Sequence, residues 1–239
     1  MNNRQSITVH ARDAVWSQDG THLGRIDGNK VEGQVLQDRA TTQKISTTVV
    51  HAATAEDVIE QLETTKRMTG RSPLVWQTDN GPEYRAEEMQ EYLKREKIIS
   101  LLSRVYTPTD NAAAESGMND LKGLSGLGKG VKLNSIAETA ELHGKSAVQL
   151  NENRLRASRG YLTANALCET MPPWYDFIDR DRFYQEARRE QELAVQGKEG
   201  MAARLAERQA VFLVMEKYGL ITITRGGRPF TLQKVEILL

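Results

Sequence analysis

An α/β domain followed by a helical segment and a small β segment is predicted by three observations. Three strand patterns stand in succession, helix and strand patterns alternate after them, and turn or cap residues mark the boundaries. The first strand reads from Ala14 to Leu23, the second from Val31 to Gln37 and the third from Ile45 to His51, with Asp27-Gly28-Asn29 as the turn between the first two. Thr54 and Asp57 form a capping-box pattern ahead of Val58, Ile59 and Leu62, so the spacing predicts an amphipathic helix over 55–68 that Gly70 ends. Pro73 to Trp76 is a short buried-strand candidate. Ala86 to Lys97 is a helix with Met89, Tyr92 and Leu93 on one face, and Ile98 to Leu102 is a further strand.

After a polar loop, Asp110 or Asn111 can cap a helix that runs through Ala112–Glu115 to about Lys122. Gly123, Gly126, Gly128 and Gly130 then mark a connection before a second helical region at 135–152. Pro172-Pro173 closes the domain. The pattern divides the chain into a core over 1–171, a helical linker over 172–209 and a small β module over 210–239, with strands around Gly219 and a turn at Arg225-Gly226-Gly227-Arg228.

Composition bounds the partners loosely. In 239 residues, 39% are hydrophobic and 27% charged, enough apolar material for a real core. Lys plus Arg balance Asp plus Glu at 32 each, so net charge does not announce a nucleic-acid partner. No apolar run approaches the ~20 residues that span a bilayer, so no membrane partner is expected. The N-terminus lacks a secretory layout, and a single cysteine, Cys168, allows no internal disulfide; a cytoplasmic protein is expected. Four scattered histidines and that one cysteine cannot build a His2Cys2 zinc module.

Three acidic residues stand out by position. Asp19 lies in the first strand, Asp79 just past the fourth and Glu115 inside a helix. A strand end puts a carboxylate at the rim of a sheet, Asn80-Gly81-Pro82 turns the chain there, and a helix packed across the rim can present Glu115 to the same spot. Converging carboxylates repel one another unless cations sit between them, and all-oxygen donors suit magnesium or manganese.

Three segments carry a specific resemblance: Trp16-Ser17-Gln18-Asp19-Gly20-Thr21-His22-Leu23, Thr78-Asp79-Asn80-Gly81-Pro82-Glu83-Tyr84, and Tyr106 through Glu115. Together they resemble the DDE catalytic core shared by retroviral integrases and bacterial insertion-sequence transposases. Thirty-five residues separate Asp79 from Glu115, as is usual in this branch, and Lys122 stands seven residues after Glu115. Asn151-x-x-Arg154 and Gly160-Tyr161-Leu162-Thr163 resemble the family's closing segment.

The resemblance implies a ribonuclease H-like mixed sheet flanked by helices, and DNA cleavage and strand transfer by phosphoryl transfer with two Mg2+ ions, or Mn2+ in their place. Asp19 would bridge both ions, with Asp79 supporting one and Glu115 the other. Seven residues is about 10 Å of helical rise, so Lys122 shares a face with Glu115 and is expected to reach the DNA backbone. Tyr106 and Asn111 lie on the loop expected to touch DNA, and Arg225 and Arg228 offer two cations for phosphates. A homo-multimer on DNA is expected. The segment before Asp19 is too short for a helix-turn-helix, so a separate chain is expected to supply end specificity. The alternative is a catalytically silent ribonuclease H-like protein that binds DNA or a transposase.

Overall fold

The apolar residues around Asp19 form one long strand, and Asp27-Gly28 folds the chain back along it. In the computed structural model, which describes residues 5–103, 112–225 and 228–229, β1 (Gln5–Val9) precedes β2 (Val15–Ile26), β3 (Asn29–Asp38) and β4 (Lys44–Val50). Asp27 (φ 47°) and Gly28 (φ 83°) have the paired positive φ of a type I′ hairpin turn. The capping box forms as the sequence predicts: Thr54 Oγ1 accepts from Asp57 N at 3.2 Å and Asp57 Oδ2 accepts from Thr54 N at 2.9 Å, starting α1 (Ala55–Thr69). Gly70 ends it in the left-handed conformation, φ 68°.

β5 (Val75–Thr78), α2 (Pro82–Arg85), α3 (Glu87–Arg95) and β6 (Ile99–Leu102) follow. The short α2 is an addition to the sequence reading, begun by a proline at the first helical turn, where a missing N–H costs nothing. The sheet order is β4-β3-β2-β5-β6, with β2–β3 and β3–β4 antiparallel and β2–β5 and β5–β6 parallel. This is the mixed α/β arrangement the sequence predicts.

Strand alternation sorts residues between the two faces of the sheet. On one face Trp16, Leu36 and Trp76 pack against Val58 and Leu62 of α1 and Met89, Tyr92 and Leu93 of α3. The opposite face is covered by α4 (Ala112–Ser125) and α5 (Ile136–Asn153), where Val35 of β3 packs against Met118, Leu121 and Ala147. The short α6 (Ala164–Thr170) then leads to α7 (Arg180–Val195) and α8 (Gly200–Lys217).

Two expectations about the C-terminal part change. Val211 to Lys217, expected as strand, is the end of α8: Ala206, Ala210, Val211, Val214 and Met215 are buried at helical spacing, and burial along that stripe outweighs the β-branched composition of the run. The β segment of the tail is completed by the chain's own beginning. β7 (Ile221–Arg225) lies between β1 and β8 (Arg228–Pro229), with Val9 opposite Ile221 and Gln5 opposite Arg225. Val9, Ile221 and Ile223 share one apolar cluster with Val15 and Val75 of the large sheet and Phe183, Val211 and Val214 of α7 and α8. Among the described residues no helix is long and apolar enough to cross a membrane.

Candidate active site

Asp19 sits in mid-β2 opposite Val35. Two residues from Ser17 and three from Trp16, it faces away from the tryptophan core and toward α4, where Met118 and Leu121 pack on Val35. Its side chain is half-buried, whereas Asp79, one residue past β5, and Glu115, in the first turn of α4, are exposed. The three carboxylates feel one another. Burial foremost, then the charges of Asp79 and Glu115, push the Asp19 carboxyl up to about 7, against a hydrogen bond from the Gly20 backbone and the charge of Lys122.

The turn bearing Asp79 is held on both sides. Trp76 and Tyr84 meet edge to face with ring centres 5.5 Å apart, an arrangement worth about 0.5–1.5 kcal/mol beyond the area it buries. The Tyr84 hydroxyl donates to Gln34 Oε1 at 2.7 Å, and Gly81 N donates to Asp79 Oδ1 at 2.8 Å. Asn80 Nδ2 donates to Ser103 O at 2.5 Å, tying the ends of β5 and β6 together, and Arg204 of α8 donates to Asn80 Oδ1 at 3.3 Å. Glu83 is a further carboxylate near Asp79; burial, then the charges of Asp79 and Glu32, push it above the ordinary range.

The helix carrying Glu115 approaches the sheet closely. A Cβ at Gly117 would lie 2.2 Å from Gln37 Oε1 and 2.9 Å from Lys44 Nζ, so glycine is what lets α4 settle there. Lys122 shares the Glu115 side of α4, as its spacing predicts, and donates to Thr21 Oγ1 at 3.1 Å. Its ammonium therefore rests on β2 beside Asp19.

The sequence-predicted site residues thus divide. Asp19 feels the charges of Asp79, Glu115 and Lys122. Tyr106 and Asn111 lie outside the described residues, as do residues 226 and 227. Arg225 and Arg228 pair across β7 and β8, in the smaller sheet and not the one that carries Asp19. Sequence reasoning missed Thr21, Gly117 and Arg204; of these only Thr21 stood within a quoted motif, and Arg204 lies in the stretch expected to be a linker.

The donors fit divalent cations in kind, since all three are carboxylates and the repulsion at Asp19 is what a cation relieves. Among the described residues no trio of His, Cys, Asp or Glu side chains is gathered tightly enough to enclose one ion.

Residues 9–108 match the family model described as integrase core domain. No curated protein matches the chain. Among solved structures, a chain of the simian T-cell lymphotropic virus intasome in complex with PP2A regulatory subunit B56 gamma is similar at 20% identity and a TM-score of 0.55. That match covers 72% of this chain and 63% of the intasome chain, so this chain spans less than two thirds of that relative's length. The HTLV-2 integrase catalytic core domain in complex with magnesium, in its trimeric form, is similar at 17% identity and a TM-score of 0.50, over 66% of this chain and 97% of the other. With the sheet order and flanking helices described above, these matches show that the chain has the ribonuclease H-like fold seen in integrase catalytic cores, and that residues 9–108 resemble the integrase core domain.

Proposed function

We propose that this chain is a polynucleotidyl transferase that cuts DNA and joins a DNA end to a target strand. The observation that carries the reading is that the charges of Asp79 and Glu115 both bear on the half-buried Asp19, on the elements where the resemblance to DDE enzymes implies them. Asp19 with Asp79 would hold one divalent ion and Asp19 with Glu115 another, so each takes two protein carboxylates and leaves positions for water and substrate phosphate. Bound there, Mg2+ or Mn2+ ions would activate a water or DNA 3′-hydroxyl and neutralise the leaving oxygen. Asp19 is the shared carboxylate, and its central place accounts for why it bears the charge of both neighbours. The turn at Asp79 is fixed by Gly81, Tyr84 and Asn80, and Lys122 keeps positive charge beside Asp19. The magnesium of the HTLV-2 core is the kind of ion such donors prefer.

Joining two ends to one target needs two active sites at a fixed separation, so the reading includes a homo-multimer on DNA. The test is incubation of the chain with a labelled DNA end and Mn2+. Nicked and joined products together support strand transfer, and nicks without joining make the protein a nuclease. No product with any divalent ion, alongside retained DNA binding, would establish a silent ribonuclease H-like binding protein instead.

A further inference from the structure

The segment between α5 and α6 folds into a tight knuckle that no catalytic role uses. Tyr161 N donates to Arg156 O at 3.0 Å, Arg159 N to Arg156 O at 2.9 Å and Leu162 N to Arg159 O at 3.3 Å. Tyr161 has φ 59°, a left-handed conformation that a bulky residue adopts only when its surroundings impose it, and its side chain is nonetheless 70% exposed. Leu155 and Leu162 beside it are exposed too. The backbone is thus constrained to hold an aromatic ring in solvent, where packing gains nothing from it.

Cations surround the knuckle in excess. Arg156 donates to Asp120 Oδ2 at 2.9 Å, and Arg154 lies 3.6 Å from Asp120 Oδ1. Arg159 adds its charge near Arg156, and the buried Lys44 feels both Arg156 and Asp120. The nearby Asp38 is committed elsewhere, accepting from Ala40 N, Thr41 N and Thr41 Oγ1. Arg154 and Arg156 therefore share one carboxylate, while Arg159 turns inward to donate to Arg39 O at 3.2 Å and Lys44 is buried. Asp120 stands on α4 five residues beyond Glu115, about 7.5 Å along the helix axis and about 140° around it, so the knuckle and the candidate active site are served by different sides of one helix.

We propose that the Arg154–Leu162 knuckle is a docking surface for single-stranded DNA, with Arg154 facing a phosphate and the Tyr161 ring stacking on an unpaired base. A fixed exposed ring beside two arginines that share one carboxylate is what binds strands without reading sequence, and an unpaired base has a face to offer where a duplex has none. The proposal rests on the DNA-processing reading above and extends it to strands beyond the scissile bond.

Fluorescence anisotropy of the full chain in EDTA, with labelled single-stranded and duplex oligonucleotides, tests it without metal chemistry. Tyr161→Ala should weaken single-strand binding roughly tenfold and leave duplex binding nearly unchanged. Tyr161→Phe should bind as the wild type does, and Arg154→Gln should flatten the salt dependence by about 0.7 in log–log slope. Should Tyr161→Ala fail to fold, Tyr161→Gly suits the left-handed backbone and takes its place. Unchanged single-strand affinity, or an equal loss on both DNAs, overturns the proposal, as does a change in sedimentation of the DNA-free protein, which would make the knuckle a protein interface. Knuckle binding that survives in a chain unable to nick or join sinks only the enzymatic reading; nicking and joining with Tyr161-insensitive binding sinks only the knuckle.

Discussion

Lys122 donates a hydrogen bond to Thr21 two residues past Asp19, and so ties helix α4 to the strand that carries the central carboxylate. Its charge opposes the burial and repulsion that push Asp19 up to about 7. Lys122→Met should therefore move the Asp19 midpoint in the metal-free protein above that value, as followed by carboxyl-carbon NMR. A midpoint that stays in place would mean that the ammonium exerts no field at Asp19.

A side chain at Gly117 would have to displace the ends of the buried Gln37 and Lys44 side chains. An alanine there overpacks against Gln37 and Lys44, at a typical cost of 1–3 kcal/mol, while the better helix propensity of alanine returns at most about 1 kcal/mol. Gly117→Ala should lower the melting temperature and reduce activity further than stability alone explains, because Glu115 stands two residues away on the same helix. Adding Gln37→Ala should recover part of both losses. Gly123→Ala, on the same helix with open space around it, should instead stabilise by up to about 1 kcal/mol. Equal effects at the two glycines would contradict the packing described for α4.

At the other end of β2, the fully buried Asp13 accepts from Arg71 Nε and Nη2 at 3.0 and 2.8 Å and from Trp16 Nε1 at 2.8 Å. Removing Arg71 leaves the buried carboxylate with the longer contact to Arg12 Nε, at 3.5 Å, in place of a close two-point ion pair. Arg71→Ala should cost about 3–5 kcal/mol in chemical denaturation, and Asp13→Asn combined with Arg71→Met should cost less than Arg71→Ala alone. A loss under 1 kcal/mol for Arg71→Ala would show that the pair is dispensable.

His143 of α5 is fully buried, and among the described residues neither ring nitrogen has a hydrogen-bond partner. Burial lowers its pKa from 6.5 to about 4. The folded state thus binds this proton less readily than the unfolded chain does, so stability is fully present above pH 6.5 and is lost as pH falls toward 4, by roughly 3 kcal/mol. His143→Leu should remove that acid-side slope in melting temperature. A slope unchanged by the substitution would assign the acid sensitivity to other groups.

Much of the fold was legible because local chemistry agreed with tertiary packing. Thr54 and Asp57, Asp27-Gly28, and the Met89, Tyr92 and Leu93 face each gave a signal that the structure repeats. What was not legible depends on distant partners. The pairing of Val9 with Ile221 joins the two ends of the chain, and no periodicity within either strand announces the other. Val211 to Met215 reads equally as strand or helix until Phe183 and Val15 are there to pack against it. In the site, motif spacing singled out Asp19, Asp79, Glu115 and Lys122, and the charges of the last three reach Asp19. The contact of Arg204 with Asn80 had no local signal, since it arises from α8 lying along the rim of the sheet.

The most direct test of the account is a crystal of the chain soaked in Mn2+, with anomalous scattering used to find the ions. Two peaks are predicted, one between Asp19 and Asp79 and one between Asp19 and Glu115, with both lost in Asp19→Asn. Peaks elsewhere, or none beside Asp19 at saturating Mn2+, would contradict it.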